Sequence, residues 1–188
     1  MAPGPVQDLV HVLESHGIVC LRRDLIGTRK NALVATSGRR RAVVFIDPRP
    51  DREDASWAVA HELGHLVLHE TAVTTQEEQS DEFAGEFLAP RAEVTKLIGS
   101  GVDAEDLPDR FSMPPPAFAV HARRNSLISQ ADYRALRKQS VPPWNRTTIP
   151  GPRRISDAVQ ERVNGGETIR DVAASAFLSE DELRRDYL

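Results

Sequence analysis

AVAHELGHLVLHE (58–70) carries the pattern that decides the reading of this chain: His61-Glu62-Leu63-Gly64-His65, two histidines four residues apart with a glutamate directly after the first. Residues i and i+4 of a helix lie on one face, a turn apart, so two imidazoles can converge on one ion. The glutamate projects to the flank of that face, where an attacking water can be deprotonated. This is the H-E-x-x-H arrangement, two zinc ligands plus a general base. His61 and His65 are therefore candidate Zn2+ ligands, and Glu62 is the candidate base. A pair of core-facing histidines satisfied by hydrogen bonds is the plain alternative, but it leaves the adjacent glutamate unexplained.

A catalytic zinc needs a third protein ligand. His69 continues the same stripe, yet it lies eight residues from His61, about 12 Å along the axis, too far to share the ion. Glu70 is off the stripe at the helix end. A straight helix cannot close the site, so the third ligand must come from another element. The next helical stretch begins QEEQSDEFAGEFLAP (76–90). Glu77 and Asp81 are four apart there and face one way. Glu77 suits the zinc, and Asp81 can then accept a hydrogen bond from the second nitrogen of a liganding histidine. Glu78 and Glu82, one position round, remain competing choices on spacing alone.

The surrounding pattern supplies a scaffold. Val6, Leu9, Val10 and Leu13 recur at helical spacing over 6–16, with Gly17 as a stop. IVCLRRDL (18–25), NALVATS (31–37) and RAVVFID (41–47) read as strands, the last two joined by a hairpin connection at Ser37-Gly38-Arg39-Arg40. A helix over about 52–69 follows, with Asp51 or Asp54 at its start. Further helices are expected over 77–88 and 91–101, and two more within 114–139. The expectation is an α+β fold: a small antiparallel or mixed sheet of about three strands packed on the HExxH helix and the Glu-bearing helix, followed by a helical C-terminal region. VPPWNRTTIPGP (141–152), with four prolines and a glycine, reads as a linker. It divides the chain into 1–140, the linker 141–152, and a small helical region at 153–188.

The two halves WAVAHELGHLVLH and EEQSDEFAGEFLAP together resemble the ImmA/IrrE family of zinc metallo-endopeptidases, a gluzincin-like group with HExxH and a downstream glutamate. Glu77, Asp81, Phe83, Ala84, Leu88 and Pro90 fit the pattern of that family's second helix. Ser80 and Phe87 depart from it by packing changes. The resemblance covers about residues 5–139 and implies a zincin-like metalloprotease core, zinc on His61, His65 and Glu77, and Asp81 supporting a ligand from behind. It also implies an endopeptidase acting on a helix-turn-helix repressor in a stress or mobile-element response. His121, on AFAVHARR, is the candidate for stabilising the oxyanion. His69 is at most a residue of the site's rim. RAVVFID is the candidate strand edge for an extended polypeptide substrate.

Charge and composition narrow the partners. The formal net charge of −4 gives no bulk attraction to nucleic acid or anionic membrane. No stretch reaches the roughly 20 apolar residues needed to span a bilayer, and the N-terminus lacks the features of a signal peptide, so the expected location is the cytoplasm. The single cysteine, Cys20, reads as a buried small hydrophobe. TIRDVAASAFLSEDELRRDYL (168–188) spaces two short helices as a helix-turn-helix does, around Phe177-Leu178-Ser179. Residues 153–188 hold six arginines against eight acids, which argues against direct DNA binding and for a docking role. The competing function is a non-proteolytic regulatory protein that keeps the metal fold and docks to a repressor or a DNA-associated partner. Retention of Glu62 speaks for the enzyme.

Overall fold

A computed structural model describes residues 6, 8–28, 30–37, 41–69, 71, 74–139, 147–176 and 178–188. The connection expected at Gly38-Arg39-Arg40, Glu70, most of the Pro-rich stretch including Asn145 and Arg146, and Phe177 lie outside the described residues.

The chain opens with α1 (Leu9–Ser15), where the Asp8 carboxylate accepts the His11 N–H at 3.0 Å. It stops at Gly17, whose φ of 86° only glycine adopts without strain. Three strands follow: β1 (Val19–Arg22), β2 (Ala32–Ser37) and β3 (Arg41–Ile46). Their order is β1-β3-β2, with β1 parallel and β2 antiparallel to β3. The sheet is therefore mixed, with β3 in its middle. This corrects one expectation: β3 pairs on both sides, so RAVVFID is not a free edge. Its apolar run has the physical reason usual for a central strand, with Val44 and Ile46 fully buried.

The edge beside the next helix is β2. The Asp47 N–H donates to the Asn31 carbonyl at 2.9 Å, prolonging the β2–β3 ladder. Alternate residues of an antiparallel strand turn their backbone groups to opposite sides. The groups of Ala32, Val34 and Thr36 thus face away from β3.

Helix α2 (Arg52–Leu68) is capped by Asp51, whose carboxylate accepts the Asp54 N–H. Its Ala55, Val59, Ala60 and Leu63 are buried in one continuous core with Cys20, Ala32, Val44 and Ile46 from the sheet. Helix α3 (Gln76–Leu88) packs along α2. Gly64 makes that approach close: a Cβ placed there would lie 3.0 Å from Ser80 Cα and 3.2 Å from Ser80 O. Beyond it come α4 (Arg91–Gly99), a 3-10 turn at Ala104–Asp106, α5 (Leu107–Arg110), α6 (Pro115–Arg124) and α7 (Gln130–Leu136). Leu107, Phe111, Phe118 and Leu136 join the same core. The turn and α5 escape the sequence pattern because four residues are too few to show a period.

The last three helices, α8 (Arg153–Asn164), α9 (Ile169–Ser175) and α10 (Glu180–Tyr187), share a second, small core of Val159, Val172, Ala173, Leu183 and Tyr187. The acids that open α10 have a local cause. Ser179 and Glu182 form a capping box, each side chain bonded to the other's backbone N–H. This unit lies against the β1 side. Tyr187 Oη donates to the Arg22 carbonyl at 2.8 Å, and burial pushes its phenol up to about 12. Buried Glu14 of α1 accepts the Arg153 and Arg154 N–H groups at 3.0 and 3.2 Å, capping α8 from another element. The described end of the Pro-rich stretch is also packed. Ile149 is buried in the main core, and its carbonyl accepts from Arg22 at 2.7 Å. No helix among the described residues is long and apolar enough to cross a membrane.

Candidate metal centre

His61 and His65 stand a turn apart on α2, and their Nε2 atoms are 3.0 Å from each other. Two ring nitrogens with lone pairs do not approach this way without a proton or a cation between them. Glu77, in the first turn of α3, closes the group: Oε2 is 3.3 Å from His61 Nε2, and Oε1 is 3.4 Å from His65 Nε2. Ligand atoms around a tetrahedral zinc with bonds of about 2.0–2.1 Å are separated by roughly 3.3 Å. The three groups therefore fit one such ion, and they form the one His/Cys/Asp/Glu cluster of metal-binding shape among the described residues. Glu77 is 70% exposed while both histidines are 17% exposed, so the group opens to solvent on the carboxylate side.

Asp81, one turn beyond Glu77, contacts His61 Nδ1 at 2.8 Å. The ring donates there, since the carboxylate has only acceptors to offer. That fixes the tautomer whose Nε2 carries a free lone pair toward the group. Burial first, and then neighbouring His61, hold His65 below the usual histidine range against the pull of Glu77. A neutral imidazole is the ligating form. The two acids that competed with Glu77 on spacing are engaged elsewhere: Arg124 of α6 donates to Glu78 at 3.0 Å and to Glu82 at 2.9 Å.

Glu62, beside His61, is buried. The Val34 N–H on the outward side of β2 donates to its Oε2 at 3.1 Å, and Lys30 Nζ donates to its Oε1 at 3.0 Å. Sequence reasoning missed both donors. Val34 contributes only backbone, and Lys30 lies 32 residues upstream with nothing in its neighbours to mark it. The Glu62 carboxylate is thus held in place from the sheet, while His61 is held from α3.

The structure does not bring His121 to this group. Its Nε2 lies 2.9 Å from the Ala89 carbonyl, and its ring packs on Gly85, where a Cβ would come within 2.4 Å of Nδ1. Burial lowers its basicity. These contacts give it a role in joining α6 to the end of α3 in place of the expected one at an oxyanion. His69 pairs with Gln79 at 2.9 Å, bridging the ends of α2 and α3 at the rim. A cavity of about 540 Å³ lies on the Asp81 side, lined by Trp57, Glu86, Val120, His121 and Arg124 among others. It shares Asp81 with the metal group but does not include His61, His65 or Glu77.

This arrangement of two helical histidines, a glutamate from the following helix and a buried glutamate between them is what a metallopeptidase needs. A family model described as Peptidase_M78, IrrE N-terminal-like domain, matches residues 13–123. The chain belongs to that family. The match runs from α1 to the end of α6 and takes in every residue of the group, together with Glu62 and Asp81. No curated protein matches the chain. The chain is accordingly metallopeptidase-like, in a family of peptidase-type hydrolases, and its His-His-Glu group is of a shape to hold a metal ion. The α+β core, a three-stranded mixed sheet on the HExxH helix with the Glu-bearing helix packed along that helix, is consistent with the zincin-like fold expected from the sequence.

Proposed function

We propose that this protein is a zinc-dependent endopeptidase of the cytoplasm, with His61, His65 and Glu77 as zinc ligands and Glu62 as general base. The mutual separation of the three ligand atoms, 3.0 to 3.4 Å, carries the reading, because it matches what one tetrahedral ion requires. Bound zinc would polarise the scissile carbonyl and acidify the attacking water. Glu62, held on both oxygens, accepts the proton of that water and returns it to the leaving amine. Asp81 keeps His61 in the ligating tautomer. The outward backbone groups of Ala32 and Thr36, on either side of the Val34 N–H that Glu62 occupies, support an extended polypeptide as substrate, taken up as an added strand. The family resemblance supports a helix-turn-helix repressor as that polypeptide, in a stress or mobile-element response, with direct DNA binding by this chain not required. The alternative, a regulator that keeps the metal fold and acts by docking alone, gives no reason for a buried, doubly held glutamate next to the metal group.

The test is metal analysis joined to cleavage of a repressor encoded beside this chain. Glu62→Gln should keep one zinc per chain and lose cleavage. Glu77→Ala should lose the zinc, whereas Glu78→Ala should not. Equal cleavage by wild type and Glu62→Gln sinks the mechanism and leaves the docking reading.

A further inference from the structure

We infer that Lys30 is a positioning residue for Glu62: its ammonium and the Val34 N–H together clamp the carboxylate in one orientation beside the His61–His65–Glu77 group. The inference rests on the hydrolytic reading for its consequence, but on geometry for the contact.

A carboxylate ends in a torsion that is broad and roughly two-fold. Held at one oxygen it swings. Held at both, by donors from different parts of the chain, its plane is fixed. Glu62 is in the second condition, with Val34 N on Oε2 and Lys30 Nζ on Oε1. The pair also differs from an ordinary surface ion pair, which contributes little. The Lys30 side chain is 51% exposed, but that of Glu62 is 8% exposed, so the lysine reaches down to a buried acid that has few other partners to turn to. Without Lys30 the carboxylate keeps a single donor and a free rotation. The Val34 donor is backbone and survives any ordinary side-chain change, which leaves Lys30 as the half of the clamp that substitution can remove.

The placement ties the clamp to the substrate path. Lys30 lies two residues before β2, and the same outward row that supplies the Val34 N–H also presents Ala32 and Thr36. A polypeptide pairing with that edge runs past the clamp. Lys30 has two N–H donors beyond the one on Glu62, but the clamp itself needs only the first.

Two measurements test this. The first uses metal-free protein and compares thermal midpoints of wild type, Lys30→Met, Glu62→Ala and the double variant. Lys30→Met is expected to lower the midpoint by about 1–3 °C in the wild-type background and to leave it unchanged beside Glu62→Ala, which removes the acceptor. Equal lowering in both backgrounds overturns the contact. The second uses zinc-loaded protein and a peptide substrate. Lys30→Met is expected to cut kcat by about 10- to 100-fold with KM nearly unchanged and zinc content unaltered, and Lys30→Arg to recover most of the rate. A kcat for Lys30→Met within about twofold of wild type, with Glu62→Gln inactive, overturns the positioning role while the hydrolytic reading stands. Absence of cleavage by wild type refutes the hydrolytic reading instead, and the melting cycle still decides the clamp.

Discussion

Gly64→Ala is the perturbation that best exposes how the site is built. Gly64 lies between the two histidines on the buried side of α2. Local physics says the change should help, because alanine is favoured over glycine in a helix interior by about 1 kcal/mol. The packing says otherwise. The new Cβ would sit 3.0 Å from Ser80 Cα, 3.2 Å from Ser80 O and 3.3 Å from Phe83 Cβ, and two of these three are backbone atoms that cannot rotate away. Carbon atoms prefer about 3.5–4.0 Å, so α2 and α3 must part by at least about 0.5 Å at this point. Overpacking of this kind costs about 1–3 kcal/mol. The net expectation is a destabilisation of about 1 kcal/mol, a fall of about 2–4 °C in the melting midpoint of metal-free protein. The metal reads the same shift more sharply. Ser80 is three residues beyond Glu77 on α3, and a metal site tolerates only about 0.2 Å in its ligand distances. Zinc affinity should therefore drop by about tenfold or more. The assay is a pair of melts, with chelator and with zinc, and a competitive zinc titration. A rise of about 2–4 °C with unchanged zinc affinity would show that helix propensity alone acts here, and would refute the close α2–α3 approach.

Three further outcomes are expected. Ser80→Ala should stabilise the protein by about 1 kcal/mol, because the Ser80 hydroxyl is fully buried with no hydrogen-bond partner among the described residues; a lower melting midpoint would show that the hydroxyl has a partner. Glu14→Ala should remove the cap of α8 and weaken the C-terminal unit by about 1 kcal/mol, so amide exchange at Val159, Val172 and Leu183 should speed up roughly fivefold while that at Val44 and Val59 does not; uniform acceleration would argue against independent opening of that unit. The Asp47 carboxylate is held below the usual range by its hydrogen bond to Arg49, with the Arg49 and Leu25 N–H groups adding to it. A lowered folded value means stability that is present above the unfolded value of about 3.9 and lost as pH falls through the folded one. Melts taken across that acid range should lose this part of their slope in Asp47→Asn, and a parallel slope in both proteins would exclude the linkage.

The limits of the sequence follow from which interactions are local. The helix carrying His61 and His65 was legible because its start at Asp51 and its i, i+4 spacing are properties of a single helix. So were the stop at Gly17 and the strands. The candidate third ligand was only partly legible. Glu77, Glu78 and Glu82 are equivalent carboxylates by pattern, and the resemblance to a family chose among them before any contact could. In the fold the choice has a cause: Arg124, from a helix some forty residues on, takes Glu78 and Glu82, and the Gly64–Ser80 contact brings Glu77 to the histidines. Strand order was not legible, since alternation marks a strand but not its neighbours, and β3 was wrongly expected at an edge. His121 looked available because a histidine in sequence shows no partner; the Ala89 carbonyl and Gly85 give it one.

By itself, then, the sequence determined the pieces whose geometry repeats along one helix or strand: two candidate ligands, a candidate base, and the carboxylates that flank them. Tertiary structure decided how those pieces meet. Which glutamate closes the group, which strand edge lies beside Glu62, and what holds that carboxylate are set by the packing of α3 on α2 and of β2 beside it. Contacts across elements depend on side-chain size and backbone approach at single positions, Gly64 and Lys30 foremost. No periodicity along the chain records them.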